Sequence, residues 1–370
     1  MSPQIEVQWV AVLVAVACAL PGTFLVLRRK AMMSDAISHA ILPGIVVGFF
    51  WTESLASPLL LVTAALTGVL TVALVEAIER TNLVREDAAI GLVFPVLFSI
   101  GVILIAQYAH TVHLDTDAVL LGELAFVPFD RMTMFGRDAG PRALWLMGAI
   151  LMLNLAFLAA FYKELKLATF DPALATLLGF APGALHYALM SLVSVTAVGA
   201  FDAVGSILVV ALMVGPPITA SLLTDRLAWM IGGSAVVGVV NALVGYHMAA
   251  LLDASIAGSM ATTTGLTFGL VVLFAPTRGI VARWRRHRRH VDHFAERMVA
   301  EYLANPENTA NTAHPANTGA VAEADVLRRV RERFGWPQEK AEAVLHRVRS
   351  SEHASTNSRR ETFATDAANR

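Results

Sequence analysis

In the run "RRKAMMSDAISHAILPG", residues 28–44, Asp35 and His39 have the types and spacing that could do chemistry. A separation of four puts both side chains on one face of a helix. Carboxylate oxygen and imidazole nitrogen are ligands for first-row divalent metals, and the pair suits manganese, zinc and ferrous iron alike. The same stretch opens an apolar run. A carboxylate carried into a bilayer costs about 2.5–3.5 kcal/mol on insertion scales, so it calls for a partner or a use. A cation in transit is one partner. Helix capping is the other account, with Asp35 at the N-terminus, Ser34 or Ser38 helping, and His39 a packed polar side chain. Pro43 and Gly44, one turn on, suit a kinked helix that exposes backbone to a cavity.

Other residues extend the search. Asp202 lies between two apolar runs and either faces a path or caps a short helix at the outer surface. Met213 and Met32 offer thioethers, although single methionines on apolar helices mostly pack. His110, His113, Asp115 and Asp117 share one loop, where they attract cations or are simply solvated. His186 and His247 fall near the ends of apolar runs. The sequence "FDPALATLLG", 170–179, differs in kind. Asp171 before Pro172 fits an N-cap with Pro at N1, and Gly179 fits a C-terminal stop. A short capped helix outside the membrane needs a partner surface, or the bilayer itself, to cover Leu174, Leu177 and Leu178. No side chains are arranged for catalysis. G-x-x-x-x-G-K-[ST], H-E-x-x-H and G-x-S-x-G are all absent from the sequence.

The elements that must position these residues are membrane helices. The chain is 56% hydrophobic and 15% charged, well under the roughly 25% charged residues of a soluble domain. Mean hydropathy is +0.61. Apolar stretches long enough to cross a bilayer fall near 9–27, 38–53, 57–77, 88–107, 143–162, 184–201, 203–223, 227–249 and 262–277. The expected fold is therefore all-α, a polytopic membrane protein with eight or nine spans. The 108–142 connection is long and partly apolar, with room for a re-entrant or interfacial helix, and a half-helix near Asp202 would break 184–223. Arg28, Arg29 and Lys30 follow the first span and mark its C-terminal end as cytoplasmic. That span has no basic n-region and reads as retained rather than cleaved. Alternate connections then carry Arg80, Arg85, Lys163, Lys166 and Arg226 inside, against Arg131, Arg137 and Arg142 outside. The lone Cys18 lies within the first span and reads as packing.

"LRRKAMMSDAISHAILPGIVVGF" closely resembles the second-helix signature of the ABC-3 family, the membrane permease subunits of bacterial manganese, zinc and iron importers. "REDAAIGLVFPVLFSIGVILI", "YKELKLATFDPALATLLGFAPGALHYALMSLVSVTAV" and "VGSILVVALMVGPPITASLLTDRLAWMIGGSAVVG" resemble later blocks of that family, in order, over about residues 5–280. "GPPITA" and "LLDASIAGSMATTT" depart from its pattern. The resemblance implies Asp35 and His39 as metal ligands along the pathway, with Ser38, Pro43 and Gly44 as structural signature. It makes 170–179 the coupling helix, through Phe170, Asp171, Ala175 and Gly179. It implies a dimer of cytoplasmic ABC ATPases, an extracytoplasmic metal-binding protein and a second permease subunit, identical or a sister chain. Manganese, zinc or iron is cargo, and no cofactor is permanently bound. The location implied is the bacterial inner, cytoplasmic membrane, with the tail in the cytoplasm. A secondary metal transporter, a siderophore- or cobalamin-type ABC permease, and a membrane-tethered regulator are the alternatives.

Charge separates the chain at its last span. Residues 1–277 carry 11 Lys/Arg and 17 Asp/Glu, net −6, and residues 278–370 carry 17 and 12, net +5. The reading is a transmembrane permease domain over 1–280, then a basic juxtamembrane helix over 281–304. A linker follows over 305–320, a small helical tail over 321–350, and a disordered end over 351–370. Arg283, Arg285, Arg286, Arg288 and Arg289 suit anionic lipid headgroups at about 1 kcal/mol each. His287, His290 and His293 repeat every third residue, as a metal-sensing patch or as solvated side chains. Two periodic helices flank "GWPQ"; docking on a partner subunit is the simpler role, with nucleic acid the lesser one.

The charge bias fixes a topology that can be read directly. In a Cys18→Ala background, Cys introduced at Ser54 should react with an impermeant thiol reagent in intact cells, while Cys at Ser350 should not. Labelling at Ser350 but not at Ser54 overturns the orientation.

Overall fold

The computed structural model describes residues 2–52, 57–108, 124–134, 137–276, 278–304 and 319–348. The outer-loop residues His110, His113, Asp115 and Asp117 lie outside them, as do most of the 305–320 segment and all of 351–370. The chain divides into two compact units, Met1–Gly279 and Ile280–Arg370.

The first unit is helical, and among its described residues nine helices are long and apolar enough to cross a membrane. α1 spans Pro3–Leu27, α2 Met32–Ala40, α3 Leu42–Thr52, α4 Pro58–Glu79 and α5 Glu86–Tyr108. α2 and α3 together make one span. α6 follows over Arg142–Phe170, α7 over Pro172–Leu177, α8 over Pro182–Val204, α9 over Ser206–Leu223, α10 over Leu227–Leu252 and α11 over Ile256–Phe274. The last span begins at Ile256, where the Ser255 side chain accepts a hydrogen bond from the Gly258 N–H, rather than at 262. Small and hydroxylated residues make it look less apolar in sequence than its neighbours.

Two connections differ from the sequence expectation. No half-helix surrounds Asp202. α8 runs unbroken to Val204, and Gly205, with φ of +78°, turns the chain directly into α9. Only glycine adopts that φ without strain. The described part of the 108–142 connection holds a 3₁₀ turn over Leu124–Phe129 and an antiparallel hairpin, not a longer helix. Its strands are β1, Arg131–Met134, and β2, Arg137–Pro141. Hairpins satisfy their backbone groups across the strand pair, which suits a segment that cannot span.

α1 is the centre of the unit and packs on α6, α8, α9 and α10. Ala11, Val14, Ala15, Ala17 and Cys18 are buried on it with almost no exposure. Close approach comes from small residues, as expected where lipid supplies no hydrophobic drive between helices. A Cβ on Gly22 would lie 1.9 Å from the Met213 carbonyl oxygen of α9. A Cβ on Gly44 would lie 2.5 Å from the Thr63 carbonyl oxygen, and one on Gly48 2.3 Å from Thr63 Oγ1, so α3 lies tight on α4. Buried polar side chains bridge the helices. Asn154 donates to the Ala17 carbonyl at 2.9 Å, Ser194 to the Ala65 carbonyl at 2.8 Å, and Thr267 to Asn241 Oδ1 at 2.8 Å.

The second unit has its own small core. α12 spans Ile280–Ala304, α13 spans Gly319–Phe334, and α14 covers 338–348. Ala295 and Val299 meet Val330, Ala341, Val344, Leu345 and Val348. Phe334 stacks on Trp336, and Lys340 Nζ sits 4.8 Å from the Trp336 ring.

The glycine contacts predict a clear contrast. Gly22→Ala forces a methyl group onto backbone, which cannot give way, so it should cost at least the roughly 1–3 kcal/mol of overpacking. Gly148, with nothing within 4 Å of its Cβ position, should accept alanine without loss. Thermal unfolding of the two purified variants checks this, and equal midpoints would contradict the packing.

Candidate functional site

α2 begins without a side-chain cap. Its N-cap residue is Ala31, and Asp35 stands a turn inside the helix. Ser34 and Ser38 donate their hydroxyls back to the Ala31 and Ser34 carbonyls, at 2.8 and 2.9 Å. Neither serine assists Asp35, so capping does not explain the carboxylate. From Met33 to Ala40 every side chain is buried except Asp35 and His39. Those two are 38% and 32% exposed, with His39 Nε2 3.4 Å from Asp35 Oδ1. The spacing therefore does what a separation of four predicts, and the pair is the only opening on an otherwise enclosed face. The His39 ring lies 5.9 Å from that of Phe94 on α5.

The chain breaks just past this pair. Ile41 separates α2 from α3, and Pro43 lies inside the first turn of α3. Proline has no N–H, so the carbonyl four residues back, on His39, loses its helical donor. The imidazole and the carbonyl that loses this donor thus belong to the same residue. Among the described residues no group of three or more His, Cys, Asp or Glu is gathered to hold a metal. Asp35 and His39 are two ligands, fit for an ion held briefly rather than caged. The His287, His290 and His293 repeat gathers no such group.

Asp202 and Met213 do not join the pair. Asp202 is exposed in the last turn of α8, at the opposite end of the unit by topology, and the charges that bear on it are Arg142 and Asp130. Met213 is fully buried, with its backbone against Gly22.

The 170–179 stretch folds as its residue types dictate. Asp171 Oδ1 accepts from the Leu174 N–H at 2.9 Å, Pro172 starts the six-residue α7, and Gly179 ends it at φ +86°. Ala175 is buried beneath the turn, whereas Phe170, Leu174, Leu177 and Leu178 are 61%, 42%, 84% and 60% exposed. Four large apolar side chains on a capped turn outside a span form an uncovered surface.

Sequence reading missed an ionic network at this same end of the unit. The three cations at 28–30 are not equivalent. Arg29 is exposed in the left-handed region at φ +61°, which reverses the chain between α1 and α2 and turns Arg28 and Lys30 inward. Lys30 Nζ meets Glu79 Oε2 at 2.9 Å and Glu86 Oε1 at 3.4 Å. Burial alone would lower the Lys30 ammonium; the Glu79 and Glu86 carboxylates outweigh it and hold its pKa above the ordinary value. Arg28 Nε donates to Thr169 Oγ1 at 3.1 Å, and its Nη1 lies 3.3 Å from His186 Nδ1. His186 Nε2 in turn pairs with Glu76, which also accepts from the Tyr187 hydroxyl at 2.8 Å. Carboxylates near span ends and a histidine just inside another were the signal available, because a charge there needs a partner. Which partner, only the fold supplies.

At the other end, Arg131 of the hairpin reaches both carboxylate oxygens of the buried Glu6, each at 3.3 Å, and Asp138 at 2.7 Å. The Arg131 guanidinium and the Gly140 N–H hold the Asp138 carboxyl below its usual range.

Comparison with known proteins places this architecture. The model of the ABC 3 transport family matches residues 4–275. The manganese transport system membrane protein MntD of Bacillus subtilis (strain 168) is 47% identical over 272 residues, 74% of this chain and 92% of the relative. The zinc transport system membrane protein TroD of Treponema pallidum (strain Nichols) is 50% identical over 278 residues, 75% of this chain and 76% of the relative. Among solved structures, PsaBC from Streptococcus pneumoniae in complex with Fab superposes at a TM-score of 0.65 with 24% identity, covering 78% of this chain and 96% of that one. That likeness is one of fold.

The clamp on the α1–α2 turn yields a stability test. Lys30→Met leaves Glu79 and Glu86 facing each other without a cation. The cost should approach the roughly 3–5 kcal/mol of an orphaned buried charge, reduced to about 2–3 by partial solvation. Arg29→Gly removes an exposed cation and relieves a positive φ, so it should be neutral or slightly stabilising. Thermal midpoints in one detergent compare them; an equal, small effect of both would show that Lys30 is only a solvated charge.

Proposed function

The chain belongs to the ABC 3 transport family, and on that premise we propose that it is the membrane permease subunit of an ATP-binding cassette importer that carries a divalent transition metal into the cell. Manganese, zinc and iron are the cargoes the ligand chemistry suits. One observation carries the reading of the cargo. From Met33 to Ala40, on a helix segment otherwise enclosed, the only two half-open side chains are a carboxylate and an imidazole one turn apart.

The chemistry follows from that geometry. A hydrated cation entering hydrocarbon loses solvation that only fixed ligands can replace. Asp35 supplies the charge and His39 a nitrogen donor. The Pro43 break removes the helical donor of the His39 carbonyl, which adds a backbone oxygen to the candidate ligands. Two ligands are too few for a tight site. Water, other side chains or the matching pair of a second permease subunit complete it, and a site assembled this way releases its ion readily. The second subunit is identical or a sister chain.

The engine is separate. The chain has no phosphate-binding loop, and the exposed Phe170, Leu174, Leu177 and Leu178 offer a docking surface for a cytoplasmic ATPase dimer. Asp171, Ala175 and Gly179 set the shape of that surface: a cap, a buried small residue and a left-handed stop. An extracytoplasmic binding protein delivers the metal at the opposite end. The positive-inside bias supports a location in the bacterial cytoplasmic membrane with residues 280–370 in the cytoplasm.

Two substitutions test the path. Asp35→Asn keeps shape and removes charge; His39→Leu removes the nitrogen. Each should lower uptake of radiolabelled manganese or zinc by at least the roughly 10–100-fold cost of losing even an outer-shell partner of a metal site, at matched permease levels and with ATP hydrolysis retained. Near wild-type uptake in both would sink the metal-path reading.

The docking surface is tested separately. Asp171→Arg removes the capping oxygen and reverses the charge, so co-purification of the ATPase, or transport per ATP hydrolysed, should fall while the permease still inserts. Unchanged transport with the ATPase fully bound would reduce α7 to a surface turn.

A further inference from the structure

We propose that Arg28 is a positioning residue that ties the α7 turn to α2, so that displacing α7 re-aims Asp35 and His39. The proposal rests on the reading of α7 as the ATPase-docking turn and of the pair as the metal path.

α7 is suspended between two helices, and each contributes one contact to the same side chain. Thr169 lies in the last turn of α6, just before the Asp171 cap, and its Oγ1 accepts from Arg28 Nε at 3.1 Å. His186 lies in the first turns of α8, just after α7, and its Nδ1 faces Arg28 Nη1 at 3.3 Å. A guanidinium only donates, so Nδ1 must accept and the ring proton sits on Nε2, aimed at Glu76. The imidazole is thereby fixed from both sides. A shift of α7 must move Thr169, His186 or both, and either movement reaches Arg28.

From Arg28 the path to the pair is short and stiff. Arg28 is the C-cap of α1; its N–H donates to the Phe24 carbonyl and the Arg29 N–H to the Val26 carbonyl. Arg29 makes the left-handed reversal, Lys30 is held by Glu79 and Glu86, and the Lys30 carbonyl accepts the Met33 N–H inside α2. Asp35 follows within the next turn. No slack segment lies between the α7 supports and the first metal-facing side chain.

The same end of the unit is also under-satisfied. Arg28 Nη2 is buried without an acceptor, and Glu164 Oε2 is buried without a donor. A saturated network has one arrangement. Spare donors and acceptors allow a second, which an element that must alternate between two positions requires. Arginine rather than lysine suits the post, since only a forked cation holds two partners in fixed directions.

The test uses the whole transporter, permease with its ATPase and binding protein, in proteoliposomes with manganese ions as cargo. Arg28→Gln should leave ATPase binding and hydrolysis within about twofold, yet lower ions moved per ATP by about tenfold, in the ordinary range of coupling between sites. Thr169→Val removes one acceptor with little change of shape and should give a smaller loss in the same ratio. Arg28→Lys keeps the charge but not the fork, and should assemble without restoring the ratio. A purely structural role would lower hydrolysis and uptake together, leaving the ratio unchanged. That result, or a wild-type ratio in well-assembled Arg28→Gln, overturns the proposal. Absence of ATP-driven uptake in the wild-type complex would instead fail the transport reading on which it rests.

Discussion

A charge in hydrocarbon must bring its own partner, and the polar residues of the 1–279 unit are distributed accordingly. At one end Glu6 is held by Arg131 of the hairpin. At the other, Lys30, Glu79, Glu86, Glu76, His186 and Arg28 form a shared network. Among the described residues the charged partner of Asp35 is His39, at 3.4 Å, and both remain partly open. The network charges are paired with residues far along the chain, and the Asp35–His39 pair is not.

The break between α2 and α3 serves the same end. A continuous helix would consume every backbone carbonyl in its ladder. Pro43 withholds one N–H, and the loss falls on the residue that also carries the imidazole. Gly44 and Gly48 then let α3 lie on α4 at backbone distance, so the break costs little packing. The break in the ladder is thus flanked by tight contact of α3 on α4.

The 170–179 turn shows the opposite balance. Its backbone is closed by Asp171, Thr176 and Gly179, while its apolar side chains stay uncovered. A rigid turn with an exposed apolar face transmits a push without unfolding, which a loose loop of the same composition would not do.

Much of this was written in the local sequence. Hydropathy located the spans, because crossing a bilayer needs a minimum length of apolar helix whatever its neighbours are. The spacing of Asp35 and His39, the Pro43 break, the Asp171 cap and the Gly179 stop were equally legible, since each depends on residues within a turn or two. What the sequence left open depends on contacts far along the chain. Lys30 and Glu79 are 49 residues apart, Arg28 and Thr169 141, and Arg28 and His186 158. Read in sequence, three adjacent cations were one topological signal; the left-handed Arg29 sends two of them inward and one to the surface. The direct α8–α9 turn at Gly205 and the hairpin that captures Glu6 were hidden for the same reason. Local physical chemistry selects an element, but which buried charges meet is decided only when helices distant in sequence are packed side by side.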